Sequence, residues 1–181
     1  MTYSEGIGAD SAFTTGLRAT ATTDTDDVGS LQEDSGGNKF RFIKNVDTTA
    51  FVKGQVICWD SAANKGTAAY FSDVTRVVTA ELMNVAGICV TAIGESGAAT
   101  ASYGWVQVWG LFQSAIVRVP KTNDIEEGSE LIGENVKTAL QYNGNAGAAH
   151  IYSNHIRALE VVTTDGTGTA TTNIDVYIYC M

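Results

Sequence analysis

Few side chains in this sequence are of types that do chemistry. Its only histidines are His150 and His155. Two imidazoles that close could share one metal, but no carboxylate or thiol lies nearby in sequence to complete a ligand set. Nucleophilic catalysis needs a serine or cysteine beside a base. The stretch Gly94-Glu95-Ser96-Gly97 has the wrong spacing for a nucleophile elbow. Asp24-Thr25-Asp26-Asp27-Val28-Gly29 loosely follows a calcium loop. It fails where a fifth ligand would stand, at Val28, and where a bidentate glutamate would stand, at Ser35. Glu126, Glu127 and Glu130 cluster at a turn, where a solvated face is the default. No glycine-rich phosphate cradle is present. The expectation is a protein without catalytic residues, metal or cofactor.

The three cysteines, Cys58, Cys89 and Cys180, sit in apolar strand-like runs. An odd number at wide spacing makes a poor disulfide framework. Buried free thiols in a reducing compartment are expected. The opening Met1-Thr2-Tyr3-Ser4-Glu5 lacks the basic and apolar regions of a secretory signal. The longest apolar run, around Val85 to Ile93, is too short to span a bilayer. No membrane partner is expected. The formal net charge of -9 argues against nucleic acid, because phosphate binding needs clustered Lys and Arg.

Charged residues make up 17% of the 181 positions, and Thr, Gly and short Val/Ile runs are frequent, which favours an all-β class. The clearest strand is Gly104-Trp105-Val106-Gln107-Val108-Trp109-Gly110-Leu111-Phe112-Gln113. Successive side chains on a strand alternate between faces. Val106, Val108, Gly110 and Phe112 therefore share a core face. Trp105, Gln107, Trp109, Leu111 and Gln113 share the other, which suits either a partner surface or a second buried layer. The last strand, residues 174–180, alternates cleanly. Ile174, Val176, Ile178 and Cys180 point inward, and Asp175, Tyr177 and Tyr179 point outward.

Further strands are expected at 40–46, 52–60, 84–93 and 156–162, with short segments at 68–71 and 74–79, a continuation of 104–113 into 115–119 that Pro120 stops, and a turn feeding a short strand over 123–132. No helix stands out. Short strands with frequent turn signals mean a compact antiparallel β-barrel or sandwich. Two regions differ. Residues 1–38 are rich in Thr, Ser, Gly and Asp and lack hydrophobic periodicity, so an extended N-terminal arm is expected, followed by a β-barrel domain at 39–181. Residues 137–150 form a Gly/Asn/Ala-rich insert. Outward aromatics are enriched at interfaces, so Trp105, Gln107, Trp109, Leu111, Tyr177 and Tyr179 are the candidate interface residues.

Several segments carry a resemblance. They are Lys53-Gly54-Gln55-Val56-Ile57, Val85-Ala86-Gly87-Ile88-Cys89-Val90, Gly104 through Gly110, Ile125-Glu126-Glu127-Gly128-Ser129-Glu130-Leu131, Arg157-Ala158-Leu159-Glu160 and the final strand. In this order they resemble the head decoration, or capsid cement, proteins of tailed bacteriophages, over roughly residues 40 to 180. The resemblance implies a β-tulip-like barrel that sits as a homotrimer on the outside of an expanded icosahedral head. There it binds the major capsid protein at threefold or quasi-threefold sites and clamps the shell against internal DNA pressure. It also implies an N-terminal arm lying along the capsid towards neighbouring cement subunits, and no catalytic residues. The protein would be made in the host cytoplasm and reside on the virion surface. The arm is longer than in the smallest family members, and the insert at 137–150 has no counterpart assigned. On the resemblance, deleting residues 1–38 should leave the barrel folded and weaken attachment.

Two other readings stand beside this one. In a carbohydrate- or receptor-binding module of a fibre or spike, Trp105 and Trp109 would stack on sugar rings. In a small β-barrel hydrolase, His150 or His155 would pair with a carboxylate.

Overall fold

A computed structural model of the chain describes residues 20–23, 26–60, 73–75, 85–97, 101–133, 139–142 and 156–180. It is all-β, as the composition led one to expect, with no helix among the described residues. The strands are β1 (Leu31–Glu33), β2 (Lys39–Asn45), β3 (Val56–Trp59), β4 (Asp73–Thr75) and β5 (Val85–Cys89). They continue with β6 (Tyr103–Arg118), β7 (Glu130–Gly133), β8 (Leu140–Tyr142), β9 (Ile156–Ala158) and β10 (Thr171–Tyr179).

All ten belong to one sheet organised around β6, the longest strand at 16 residues. Its first half pairs with β2 and β5, and its second half with β10 and β8. The pairings run in two circuits that share β6. One passes through β2, β4, β3 and β5, and the other through β10, β9, β7 and β8. The sheet is thus partly closed on itself. It is not purely antiparallel: β2 pairs with β4, and β6 with β8, in parallel.

A 16-residue strand stays continuous through this curvature by slipping its alternation. The stretch 104–113 and its continuation at 115–119 form one strand, as expected, with an irregularity at Ser114 (φ 66°). The register against β10 shifts there, so Phe112 and Ala115 both point into the core. The Ser114 N–H donates to Asp175 Oδ1 at 3.2 Å instead of to the ladder.

The main core contains Val106, Val108, Phe112, Val117, Ile174, Val176 and Ile178. A second, smaller core lies on the other face of β2 and β6. It is built from Phe40, Phe42 and Trp105, with Ala21, Val28, Val90 and Tyr103 packed against it. This explains why Phe42 and Ile43 are both fully buried although adjacent in sequence: β2 has a core on each side.

The cover of that second core revises the domain boundary. Ala21 forms an antiparallel bridge with Tyr103, and the Gly29 N–H donates to the Phe42 carbonyl at 2.7 Å. β1 pairs with β2 through the turn at 34–38, where Asp34 Oδ1 accepts from the N–H groups of Gly36 and Asn38. A cut between 38 and 39 therefore passes through a hairpin, and residues from 20 onward are part of the sheet domain. Residues 1–19 of the expected arm lie outside the described residues. Deleting residues 1–38 should uncover Phe42 and Trp105 and lower stability by on the order of 3–5 kcal/mol. Matched urea titrations of the parent and this truncation check this.

Gly54 ties the end of β5 to the second half of β6. Its N–H donates to the Cys89 carbonyl at 2.9 Å, and its carbonyl accepts from the Ile116 N–H at 2.9 Å. Its φ is 88°, and a Cβ there would lie 2.6 Å from the Ser114 carbonyl oxygen. That approach suits only glycine. Gly54→Ala should cost about 2–4 kcal/mol, from φ strain and backbone collision together, read as a lowered thermal midpoint.

Candidate partner-binding face

The outward faces of β6, β10 and β9 form one surface. β10 alternates as its sequence predicts: Ile174, Val176, Ile178 and Cys180 are buried, and Tyr177 and Tyr179 face out. The register sets Trp109 opposite Tyr179 and Leu111 opposite Tyr177. The three rings meet. Trp109 and Tyr179 have centroids 5.3 Å apart at 89°, Trp109 and Tyr177 6.2 Å at 77°, and Tyr177 and Tyr179 4.7 Å at 42°. Edge-to-face contacts of this kind contribute about 0.5–1.5 kcal/mol each and hold the rings in place. Leu111 remains 44% exposed and Tyr179 40%.

A charged pair borders the rings. Arg157 on β9 stands opposite Tyr177, and Glu130 on β7 stands opposite Arg157. The Arg157 Nη2 to Glu130 Oε1 distance is 2.9 Å, and Nη1 donates to the Gly128 carbonyl at 3.1 Å. Both side chains are partly exposed, so this bridge adds little to stability. Its role here is to place fixed charge beside an apolar centre. The resulting row across four strands is Leu111, Tyr177, Arg157, Glu130.

The face is held by a brace that Gln107 supplies. Its side chain is buried, and its Nε2 donates to the carbonyls of Trp109 at 3.1 Å and Leu111 at 2.8 Å. Between those carbonyls Gly110 adopts φ 98°, and a Cβ there would collide with Oδ1 of Asn38. That oxygen accepts from the Leu111 N–H at 3.1 Å, while Asn38 Nδ2 donates to Asp34 Oδ2 at 2.9 Å. The β1–β2 turn thus props the backbone that carries Trp109 and Leu111.

Of the six residues expected at an interface, the fold brings four together: Trp109, Leu111, Tyr177 and Tyr179. It corrects the other two. Trp105 is fully buried against Phe42, with ring centroids 5.1 Å apart, in a core closed by Ala21, Val28, Val90 and Tyr103. Gln107 is the brace and is not a contact surface. Trp105 and Trp109 share strand parity but differ in cover, so the two do not make a paired sugar-stacking platform. Sequence reasoning missed Arg157, Glu130 and Asn38. The alternation Ile156-Arg157-Ala158 signals an outward Arg157, but only the strand order places it beside Tyr177.

The remaining chemistry-bearing residues are placed as follows. His150 and His155 lie outside the described residues, as does most of the insert at 137–150. Cys58, Cys89 and Cys180 are buried thiols outside any disulfide. Burial pushes the Cys89 thiol strongly upward and the Cys180 thiol up to about 12. At pH 8 these two are protonated and shielded. A thiol reagent should therefore modify neither in the native protein and should reach all three cysteines after unfolding in guanidinium. Among the described residues no group of three or more His, Cys, Asp or Glu is arranged to hold a metal, and no helix is long and apolar enough to cross a membrane.

What these features define is an all-β domain with an exposed, braced aromatic face. No family model, curated protein or solved structure matches the chain.

Proposed function

We propose that this protein decorates the outside of an expanded tailed-phage head, as a capsid cement protein. The observation that carries the reading is the face formed by Trp109, Leu111, Tyr177 and Tyr179. It has the anatomy of a protein-binding hot spot: rigid aromatic anchors at the centre and charge at the rim. The all-β domain and the ordered motifs that resemble cement proteins support the same role. In it, three copies assemble at each threefold or quasi-threefold site and contact the major capsid protein through this face. Residues 1–19 reach neighbouring decoration subunits. The role is structural and involves no catalytic step, cofactor, nucleic acid or membrane.

The physical mechanism is repetition. A contact of modest strength, made at every equivalent site on a closed shell, holds the expanded shell against internal pressure far better than one contact does. The net charge of -9 keeps the free protein soluble and turns it away from packaged DNA.

The test is co-sedimentation of the purified protein with expanded heads that lack it. Saturable pelleting with heads, and none without them, is the expected result. Failure to bind competent heads would return the aromatic face to the carbohydrate- or receptor-binding reading.

A further inference from the structure

A half-open cavity of about 340 Å³ lies at the end of β6 and shares no lining residue with the aromatic face. Three stretches wall it. β6 supplies Arg118 and its continuation Val119-Pro120-Lys121, β8 supplies Gln141, and the connection before β10 supplies Gly168. Strand pairing brings them together. Val117 stands opposite Leu140, which sets Gln141 beside the end of β6. The Val119 N–H donates to the Ala170 carbonyl at 3.0 Å, and the Asp165 N–H to the Pro120 carbonyl at 3.3 Å, so the connection is fastened along that end. Pro120 has no N–H to extend the ladder, and the chain leaves the sheet there.

Gly168 sets two cations at this cavity. The Arg118 Nε–H donates to its carbonyl, which orients the guanidinium. A Cβ on Gly168 would lie 2.9 Å from Lys121 Cβ, so the lysine stem crosses directly over the glycine. The chain has 20 acidic residues against 11 basic ones, yet the described lining holds two cations and no carboxylate. Two aspartates stand in the adjoining loops, and both are committed to loop backbone. Asp165 Oδ1 accepts from the Gly168 N–H at 2.6 Å and the Thr167 N–H at 2.8 Å. Those two N–H groups hold its carboxyl below the usual carboxylate range. Asp124 Oδ1 accepts from the Thr164 N–H at 2.7 Å. Lys121 forms no ion pair among the described residues.

A guanidinium matches paired oxyanion oxygens, and an ammonium adds a point charge. Together they suit a phosphate dianion better than a single carboxylate. Val119 and Pro120 offer an apolar wall, and Gln141 an amide that can bond hydroxyls. The volume is at the small end of ligand sites, which run from about 300 to 1,000 Å³. We propose that this cavity binds a small phosphorylated sugar or polyol, with the phosphate between Arg118 and Lys121 and the hydroxyls toward Gln141. The site is separate from the aromatic face and does not depend on the cement reading.

NMR titration of the full-length protein tests it. Inositol monophosphate is the probe, with inositol and inorganic phosphate as its two halves. The monophosphate should bind saturably and shift the amides of Arg118, Lys121, Gln141 and Gly168. Inorganic phosphate should bind about tenfold more weakly, because it forgoes the contacts at Gln141, and inositol should not bind. Lys121 is exposed, so Lys121→Gln should stay folded and weaken the monophosphate by about tenfold or more, the loss of one charge-assisted bond. Lys121→Arg keeps the charge and should keep the binding. Gln141→Ala should weaken the monophosphate and leave inorganic phosphate unchanged. No shift at these amides with millimolar monophosphate would overturn the proposal, as would binding that Lys121→Gln leaves intact. Inorganic phosphate that binds as tightly as the monophosphate would also overturn it and would mark the cavity as a site for an adventitious ion only.

Discussion

Replacing Trp109 by Ala should leave the domain folded and weaken binding to expanded heads by roughly 30- to 1000-fold. That range corresponds to about 2–4 kcal/mol, the cost of removing an aromatic anchor from the centre of an interface. The argument runs from geometry. Trp109 touches both Tyr177 and Tyr179, so its loss removes one ring and the edge contacts that it makes to the other two. The indole is half-buried at the surface and outside both cores, so the folding penalty should be about 1 kcal/mol, from the lost ring contacts. Leu111→Ala removes a smaller, exposed side chain and should cost less in binding. The check is a head-binding isotherm for each variant, beside a urea titration showing that each is folded. A Trp109→Ala protein that binds as tightly as the parent would remove this face from the contact.

Trp105→Ala should behave in the opposite way. It should lower stability by about 3–5 kcal/mol, as expected for a large aromatic deleted from a closed core. Domains of this size are stable by only about 5–15 kcal/mol, so this is a large fraction of the whole. The cause is the second core: Trp105 is fully buried, packs on Phe42 and lies beneath the segment that carries Ala21 and Val28. The fraction that remains folded should bind heads with the parent affinity, because the ring never reaches the surface. Urea titration at 25 °C followed by circular dichroism measures the first effect, and head binding below the transition measures the second. A stable variant that no longer bound heads would place Trp105, rather than Trp109, at the contact.

The contrast between these two tryptophans shows how far the sequence is legible. Alternation along 104–113 puts Trp105 and Trp109 on one side of β6, and the structure agrees. Alternation says nothing about what lies over a side. Part of the cover of the second core comes from Ala21 and Val28, in a Thr/Gly/Asp-rich stretch with no hydrophobic period. β1 is three residues long, too short for a period of two to register, and so the segment reads as a tail. The final strand was legible because its outer face carries Asp175, Tyr177 and Tyr179 against an unbroken inner row of apolar residues. Irregularities at Gly110 and Ser114 escaped because one extra residue changes the pairing without changing composition. The parallel pairings of β2 with β4 and β6 with β8 join residues distant in sequence and leave no local mark. Arg157 was readable as outward, but its place beside Tyr177 depends on that same strand order.

The central claim is that the aromatic face of β6 and β10 seats this protein on the outside of a phage head. Imaging expanded heads saturated with it tests that claim most directly. The account predicts added density on the outer surface at threefold and quasi-threefold positions, three copies to each, with Trp109, Tyr177 and Tyr179 at the contact with the shell. Heads that stay bare at saturating protein, or density whose contact lies on another side of the domain, would contradict it.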